Sequence, residues 1–159
     1  MDPIADDRSG VKILPPVVAL IGILIGGVLN QLWPVPILPA SWSDSLRLGG
    51  LFLIAMWLAL AISAVVTFRR AGTTPNPTKP TTALAFGGPY KFTRNPMYLG
   101  LFLLVVGTGF VLNSIWPVLM AVPVLLVLRN AVILQEEAYL ERKFGEAYTE
   151  YKARVRRWL

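Results

Sequence analysis

Four long apolar runs, separated by polar connectors, organise this chain. They extend from Leu14 to Trp33, Leu46 to Phe68, Met97 to about Leu112, and Ile115 to Leu134. A bilayer core about 30 Å thick takes roughly 20 apolar residues of helix. The pattern therefore predicts an all-α, polytopic membrane protein with four transmembrane helices, over residues 14–33, 46–68, 97–112 and 115–134. Gly22 and Gly26 form a Gly-x-x-x-Gly, which permits close helix approach, although glycine is also simply common in membrane helices. Pro34, Pro36, Pro39 and Trp42 lie in the first connector, and Asp44 and Ser45 are placed to cap the second helix. Asn113 and Ser114 make a tight turn, and Pro117 and Pro123 break the fourth run.

Two polar segments complete the pattern. Residues 69–96 form a long loop rich in Pro, Thr and Gly, too proline-dense for a helix interior. Loops of this length in small proteins are usually functional or disordered. Residues 135–159 are charged but keep helical spacing: Ile133, Glu137, Leu140, Phe144, Tyr148 and Tyr151 recur at three- or four-residue steps, with Gly145 as a break. That stripe predicts a C-terminal amphipathic cytoplasmic helix, laid along the membrane surface or folded back over the loop. Arg154, Arg156, Arg157 and Trp158 read as an interfacial anchor.

Composition sharpens this picture. Of 159 residues, 55% are hydrophobic, too many for an ordinary soluble domain, and the length fits a single integral-membrane domain, residues 1–159. There is no Cys and no His. Disulfides, thiol nucleophiles, an imidazole base and a Cys/His metal site are therefore excluded, and no metal is expected. The net charge of +6 comes from basic residues beside apolar runs, so the expected partner is anionic membrane lipid and not nucleic acid. Arg8 and Lys12 precede the first run, five basic residues from Arg69 to Arg94 follow the second, and Arg142 to Arg157 carry six more after the fourth. The other connectors are almost free of them, so the positive-inside rule puts both termini and the 69–96 loop in the cytoplasm. The polar start does not resemble a signal peptide, and the expected location is a bacterial inner membrane.

The candidate chemistry converges on that inner boundary. Between Gly87 and Gly100 the chain reads Gly-Gly-Pro-Tyr-Lys-Phe-Thr-Arg-Asn-Pro-Met-Tyr-Leu-Gly. Pro96 suits a first helical turn and Asn95 the N-cap before it. The free N–H groups from Met97 to Leu99 then face the cytoplasm, where they attract an electron-rich group. The plainer reading is a good helix start and nothing more. Glu136 and Glu137, in an acidic turn closing the fourth run, return to the level of Asn95 because the third and fourth runs form a hairpin. At a helix C-terminus two acids are disfavoured, and a cationic ligand offsets that cost. In the alternative the helix continues and the acids pair with Arg142, Lys143 or Arg129. Nothing resembles a dinucleotide-binding Gly-x-Gly-x-x-Gly unit or a phosphate loop.

These residues resemble the isoprenylcysteine carboxyl methyltransferase family, with the related phospholipid N-methyltransferases. Gly88 to Tyr98 is similar to that family's Arg-His-Pro-x-Tyr cofactor motif. Glu136-Glu137-x-x-Leu140-x-x-x-Phe144-Gly145-x-x-Tyr148-x-x-Tyr151 is similar to its C-terminal signature. The likeness runs from about Pro80 onward and implies S-adenosylmethionine as methyl donor, held at the cytoplasmic face, with a lipophilic acceptor from the bilayer. By position, it assigns Tyr90, Asn95, Pro96, Met97 and Tyr98 to the cofactor, with backbone contacts from Thr82, Ala83, Leu84 and Ala85. Glu137 would hold the donor's amino or sulfonium end and stands with Arg129 as a candidate catalytic residue. Asn95 occupies the place of the family's frequent His and cannot titrate near neutral pH. Ile133 occupies the place of an Arg that binds the acceptor carboxylate. Arg129, a turn further away, reads equally as a substitute for that Arg or as a snorkelling end charge. The acceptor is thus an isoprenylcysteine-like carboxylate or a phospholipid amine. Other classes are a nicotinamide-dependent sterol reductase, which is longer, and a non-enzymatic membrane scaffold. Oligomeric state is left open.

Overall fold

The computed structural model describes residues 9–11, 13–76 and 79–159. Residues 1–8 and Lys12, whose charges enter the orientation argument, lie outside the described residues, as do residues 77 and 78 of the long loop. The described residues are helical and contain no strand. Helix α1 spans Pro15–Leu32, α2 Ser43–Arg70, α3 Pro96–Val111, α4 Ile115–Leu128, α5 Leu134–Phe144 and α6 Glu146–Arg154. Short 3₁₀ turns lie at Ala40–Trp42 and Gly88–Lys91, and a π-helical turn, Arg129–Ile133, joins α4 to α5.

Three of these stretches are long and apolar enough to cross a membrane by length and composition: Pro15–Leu32, Ala40–Arg70 and Ile115–Phe144. Pro96–Val111 is apolar but shorter. The exposed side chains of α1 and α2 are largely Leu, Ile, Val, Phe and Met, as expected of a surface solvated by hydrocarbon instead of water. Helix α2 buries only Gly50 and Ala64, while Val105 of α3 and Leu128 of α4 sit at full burial in the core with Ala19 of α1.

Small residues set the helix spacing. A Cβ on Gly26 would lie 2.8 Å from the backbone of Pro117 in α4, and one on Gly22 would collide with Val124. The Gly-x-x-x-Gly of α1 is therefore a packing surface for α4. A Cβ on Gly50 would lie 2.6 Å from the Gly107 carbonyl oxygen, so α2 and α3 touch backbone to backbone. Where side chains gain little by leaving lipid, such close approach supplies the van der Waals contact that holds helices together.

Several boundaries depart from the sequence pattern. Helix α4 runs through Pro123, and Pro117 lies in its first turn, so neither proline breaks it. Asp44 and Ser45 fall inside the first turns of α2 and do not cap it. Asn113 turns the chain as expected, in a left-handed conformation with φ 47°, and does more. Its Oδ1 accepts from the N–H groups of Ile37 and Leu38, and its Nδ2 donates to the Leu38 carbonyl. The α3–α4 turn is thereby tied to the proline-rich connector at the same end of the bundle.

Candidate functional site

At the opposite end, a cleft with about 850 Å³ of empty space, its open mouth included, lies between the long loop, the starts of α3 and α5, and α6. The chain delivers its walls by three routes. Pro89 and Gly88, the latter at φ +54° with Thr67 against it, start the 3₁₀ turn that turns Tyr90 inward. Pro96 at the first position of α3 sets Asn95 and Tyr98 one turn apart. The π turn puts one extra residue into the helical repeat before α5, the sort of local rewinding often found at functional sites. Beyond it the helix continues, so Glu136 and Glu137 stand in the first turn of α5 and not in a turn that ends the fourth run.

The two acids have different partners. Tyr98 donates its hydroxyl to Oε2 of Glu136 at 2.7 Å. Glu137, only 7% exposed, accepts a bidentate pair from Arg157, Nε to Oε1 at 3.0 Å and Nη2 to Oε2 at 2.7 Å. Arg94 Nη2 lies 3.4 Å from Oε1 of the same carboxylate. The helix does continue, but neither acid pairs with Arg142, Lys143 or Arg129. Two guanidinium groups are the compensation a buried carboxylate requires. The Arg94 side chain is itself only 9% exposed, and its Nε and Nη1 make no hydrogen bond among the described residues. Buried donors of this kind are costly unless something electron-rich meets them.

Aromatic rings fill the remaining wall. Phe68 packs edge-on against Tyr90 at 5.3 Å between centroids, and Phe86 lies 4.8 Å from Tyr151. The Tyr151 hydroxyl donates to the Tyr90 carbonyl, and the Tyr139 hydroxyl accepts from the Thr81 N–H. Burial holds the Tyr90 and Tyr151 hydroxyls well above the ordinary tyrosine range and pushes Tyr148 up to about 12. These phenols therefore stay neutral near pH 7. The hydrogen bonds that Arg157 donates to Glu137, with the negative charge of that carboxylate, raise the guanidinium further.

Of the residues singled out by sequence, Ala83, Leu84, Ala85, Tyr90, Asn95, Met97, Tyr98 and Glu137 line the cleft. Thr82 does not. Its hydroxyl donates to the Gly72 carbonyl and its N–H to Thr73 Oγ1, holding the loop from behind. Pro96, the first residue of α3, is fully buried and does not line the cleft. Asn95 occupies the N-cap position, but its side chain does not cap α3; Nδ2 donates to the Arg157 carbonyl instead. Arg129 is exposed on the π turn, with Nη1 donating to Asn130 Oδ1, and is not among the lining residues. Pattern reading missed Arg94 and Phe68 as lining residues, and it placed Arg157 in a membrane anchor. Tyr148 and Tyr151 were visible in the helical stripe, whereas Arg157 carried no signal.

The described residues form an all-helical bundle with apolar spans and a polar, aromatic and doubly acidic cleft at one end, the architecture of an integral membrane protein. Residues 46–147 match the phospholipid methyltransferase family model, most of the chain, and the protein belongs to that family. It is 41% identical over 63 residues to an uncharacterised protein of Haemophilus influenzae, a stretch that covers 40% of this chain and 100% of that one. It is 35% identical over 72 residues to the protein-S-isoprenylcysteine O-methyltransferase of Schizosaccharomyces pombe, covering 45% of this chain and 30% of the yeast protein. No solved structure shows a significant match.

Proposed function

We propose that the protein transfers a methyl group from S-adenosylmethionine to a lipophilic acceptor at the cytoplasmic face of a bacterial inner membrane, in the manner of the isoprenylcysteine carboxyl methyltransferases. The observation that carries this reading is the convergence of Tyr98, Glu136, Glu137 and the unpaired Arg94 nitrogens in one cleft, within a family of methyltransferases. When bound, the donor supplies an electrophilic methyl on sulfur. An acceptor lone pair would take that methyl, the electrons of the carbon–sulfur bond remaining on sulfur, and the cleft's residues would hold the two in line.

The cleft's chemistry fits such a donor. The Arg94 nitrogens suit a carboxylate, the two acids suit an ammonium or sulfonium centre, and the faces of Tyr90, Tyr98 and Phe68 favour a cation as well. Ala83 to Ala85 offer a backbone edge without bulk. In a displacement of this kind the protein's task is alignment and exclusion of water. Neutral tyrosines around a mostly apolar space serve both ends.

In this reading residues 1–159 act as one domain with four spans, and both termini lie in the cytoplasm. Helix α3, at 16 residues, extends about 24 Å and crosses with a slight mismatch that a bilayer accommodates by local thinning. α5 and α6 close the cytoplasmic end. A phospholipid amine is the second acceptor reading. It is favoured by the position of Arg129 outside the cleft and by the full burial of Ile133, which together leave the acceptor no arginine at the place that resemblance would assign it.

The test is thermal stabilisation of the purified chain in detergent by S-adenosylhomocysteine, NADPH or neither, followed by transfer of labelled methyl from S-adenosylmethionine into a lipid extract. Stabilisation by S-adenosylhomocysteine alone and a labelled lipid product are expected. NADPH stabilisation would point to a reductase, and no stabilisation to a scaffold.

A further inference from the structure

Residues 155–158 leave α6 and cross the loop before α3. Three backbone-directed hydrogen bonds fasten them there. The Arg156 carbonyl accepts from the Arg94 N–H at 2.9 Å. The Arg157 carbonyl accepts from Thr93 Oγ1 and from Asn95 Nδ2, each at 3.0 Å. Beside them Trp158 packs against the main hydrophobic core, and the Arg157 side chain turns back to grip both oxygens of Glu137. One residue thus touches both halves of the cleft: its carbonyl holds Asn95, and its guanidinium holds Glu137.

We propose that Arg157 is a positioning residue, and that the donor site forms only while this strap is docked. The inference rests on the reading of the cleft as a donor site. Its physical basis is the geometry of Glu137. Adjacent acids repel, and with Arg94 alone at 3.4 Å Glu137 has no well-formed partner. A planar guanidinium that meets a carboxylate with two parallel bonds fixes its orientation as well as its charge. That orientation leaves Glu136, bonded to the phenol of Tyr98, as the acid of the pair that makes no ion pair with an arginine among the described residues. Lysine delivers the charge without the fork, so charge and geometry can be separated by substitution. The arginine is also 28% exposed on its side chain, accessible enough for a small guanidinium ion to take its place.

The experiment uses the full chain in detergent and reads S-adenosylhomocysteine affinity by calorimetry. Arg157→Ala is expected to weaken binding by about tenfold or more, and Arg157→Lys to recover only part of the loss. Millimolar guanidinium, but not sodium, should restore affinity to Arg157→Ala, which a purely structural defect would not allow. Arg154→Ala removes an equal charge from an exposed position on α6 and should bind as the parent does. In parallel, hydrogen exchange at the Arg94 amide should accelerate in Arg157→Ala, because the Arg156 carbonyl moves away. Unchanged affinity in Arg157→Ala, or full recovery by lysine, overturns the proposal. If the parent itself does not bind, the donor-site reading falls, and the exchange rate alone decides the strap: unchanged protection at Arg94 overturns it, and lost protection upholds docking by Arg157.

Discussion

The hydroxyl of Tyr98, in the first turn of α3, donates to Oε2 of Glu136, 38 residues away in α5, at 2.7 Å. This bond joins the two motifs of the cleft and fixes the acid that no arginine pairs with among the described residues. Tyr98→Phe keeps the ring and removes the donor. If Glu136 faces a cationic ligand, its orientation then relaxes, and S-adenosylhomocysteine affinity should fall by about three- to tenfold, one hydrogen bond being worth roughly 0.5–1.5 kcal/mol. Tyr98→Ala removes the ring face as well and should weaken binding by more than about tenfold. Isothermal calorimetry in detergent measures both, and equal affinity in all three proteins would remove Tyr98 from the site.

Glu137 is held between two guanidinium groups. Glu137→Ala leaves the Arg94 side chain, 9% exposed, without its carboxylate and strips Arg157 of its partner; because Arg157 is 28% exposed, the loss falls below the roughly 3–5 kcal/mol of a fully buried pair. The thermal midpoint in detergent should drop clearly, and donor binding should be lost. Glu137→Gln keeps the shape and part of the hydrogen bonding, so it should fall between the two. A midpoint unaffected by Glu137→Ala would mean that the pair carries no net stability.

Arg129 lies on the outside of the π turn, bonded to its neighbour Asn130. Arg129→Ala should leave donor affinity and methyl transfer within about twofold of the parent, as for a surface substitution. A large loss of transfer with unchanged donor affinity would instead assign Arg129 to the acceptor.

Helix approach gives a pair of contrasting substitutions on α1. Gly26→Ala places a methyl group 2.8 Å from the Pro117 backbone, which cannot yield as a side-chain tip can, and should destabilise by about 1–3 kcal/mol. Gly27→Ala, with nothing within 4 Å of the new atom, should be neutral or slightly stabilising. Thermal unfolding of the two variants in one detergent tests the α1–α4 contact directly.

Asn113→Ala removes three hydrogen bonds to Ile37 and Leu38 and puts at positive φ a residue that tolerates that region less well than asparagine. A loss of about 2–3 kcal/mol is expected at roughly 1 kcal/mol per bond, with donor affinity unchanged because Asn113 sits at the other end of the bundle.

Much of this architecture is legible along the chain because a bilayer imposes length and polarity on each helix separately. The apolar runs, the hairpin at Asn113 and Ser114, the break at Gly145 and the two motif segments are all local properties, and most of the residues singled out for the donor line one cleft. Other features depend on what lies across a contact, which no window of sequence contains. Whether Gly22 and Gly26 meet a partner depends on α4, and whether Pro123 breaks a helix depends on packing around it. The direction of Glu136 and Glu137 depends on a π turn that no residue announces. Arg157 is the clearest case. Beside Arg154, Arg156 and Trp158 it reads as a membrane anchor, since an arginine in a basic tail is most cheaply solvated at the headgroups. Only the folded chain brings Glu137 within 2.7 Å of it, and a bidentate partner in a buried cleft outcompetes that solvation.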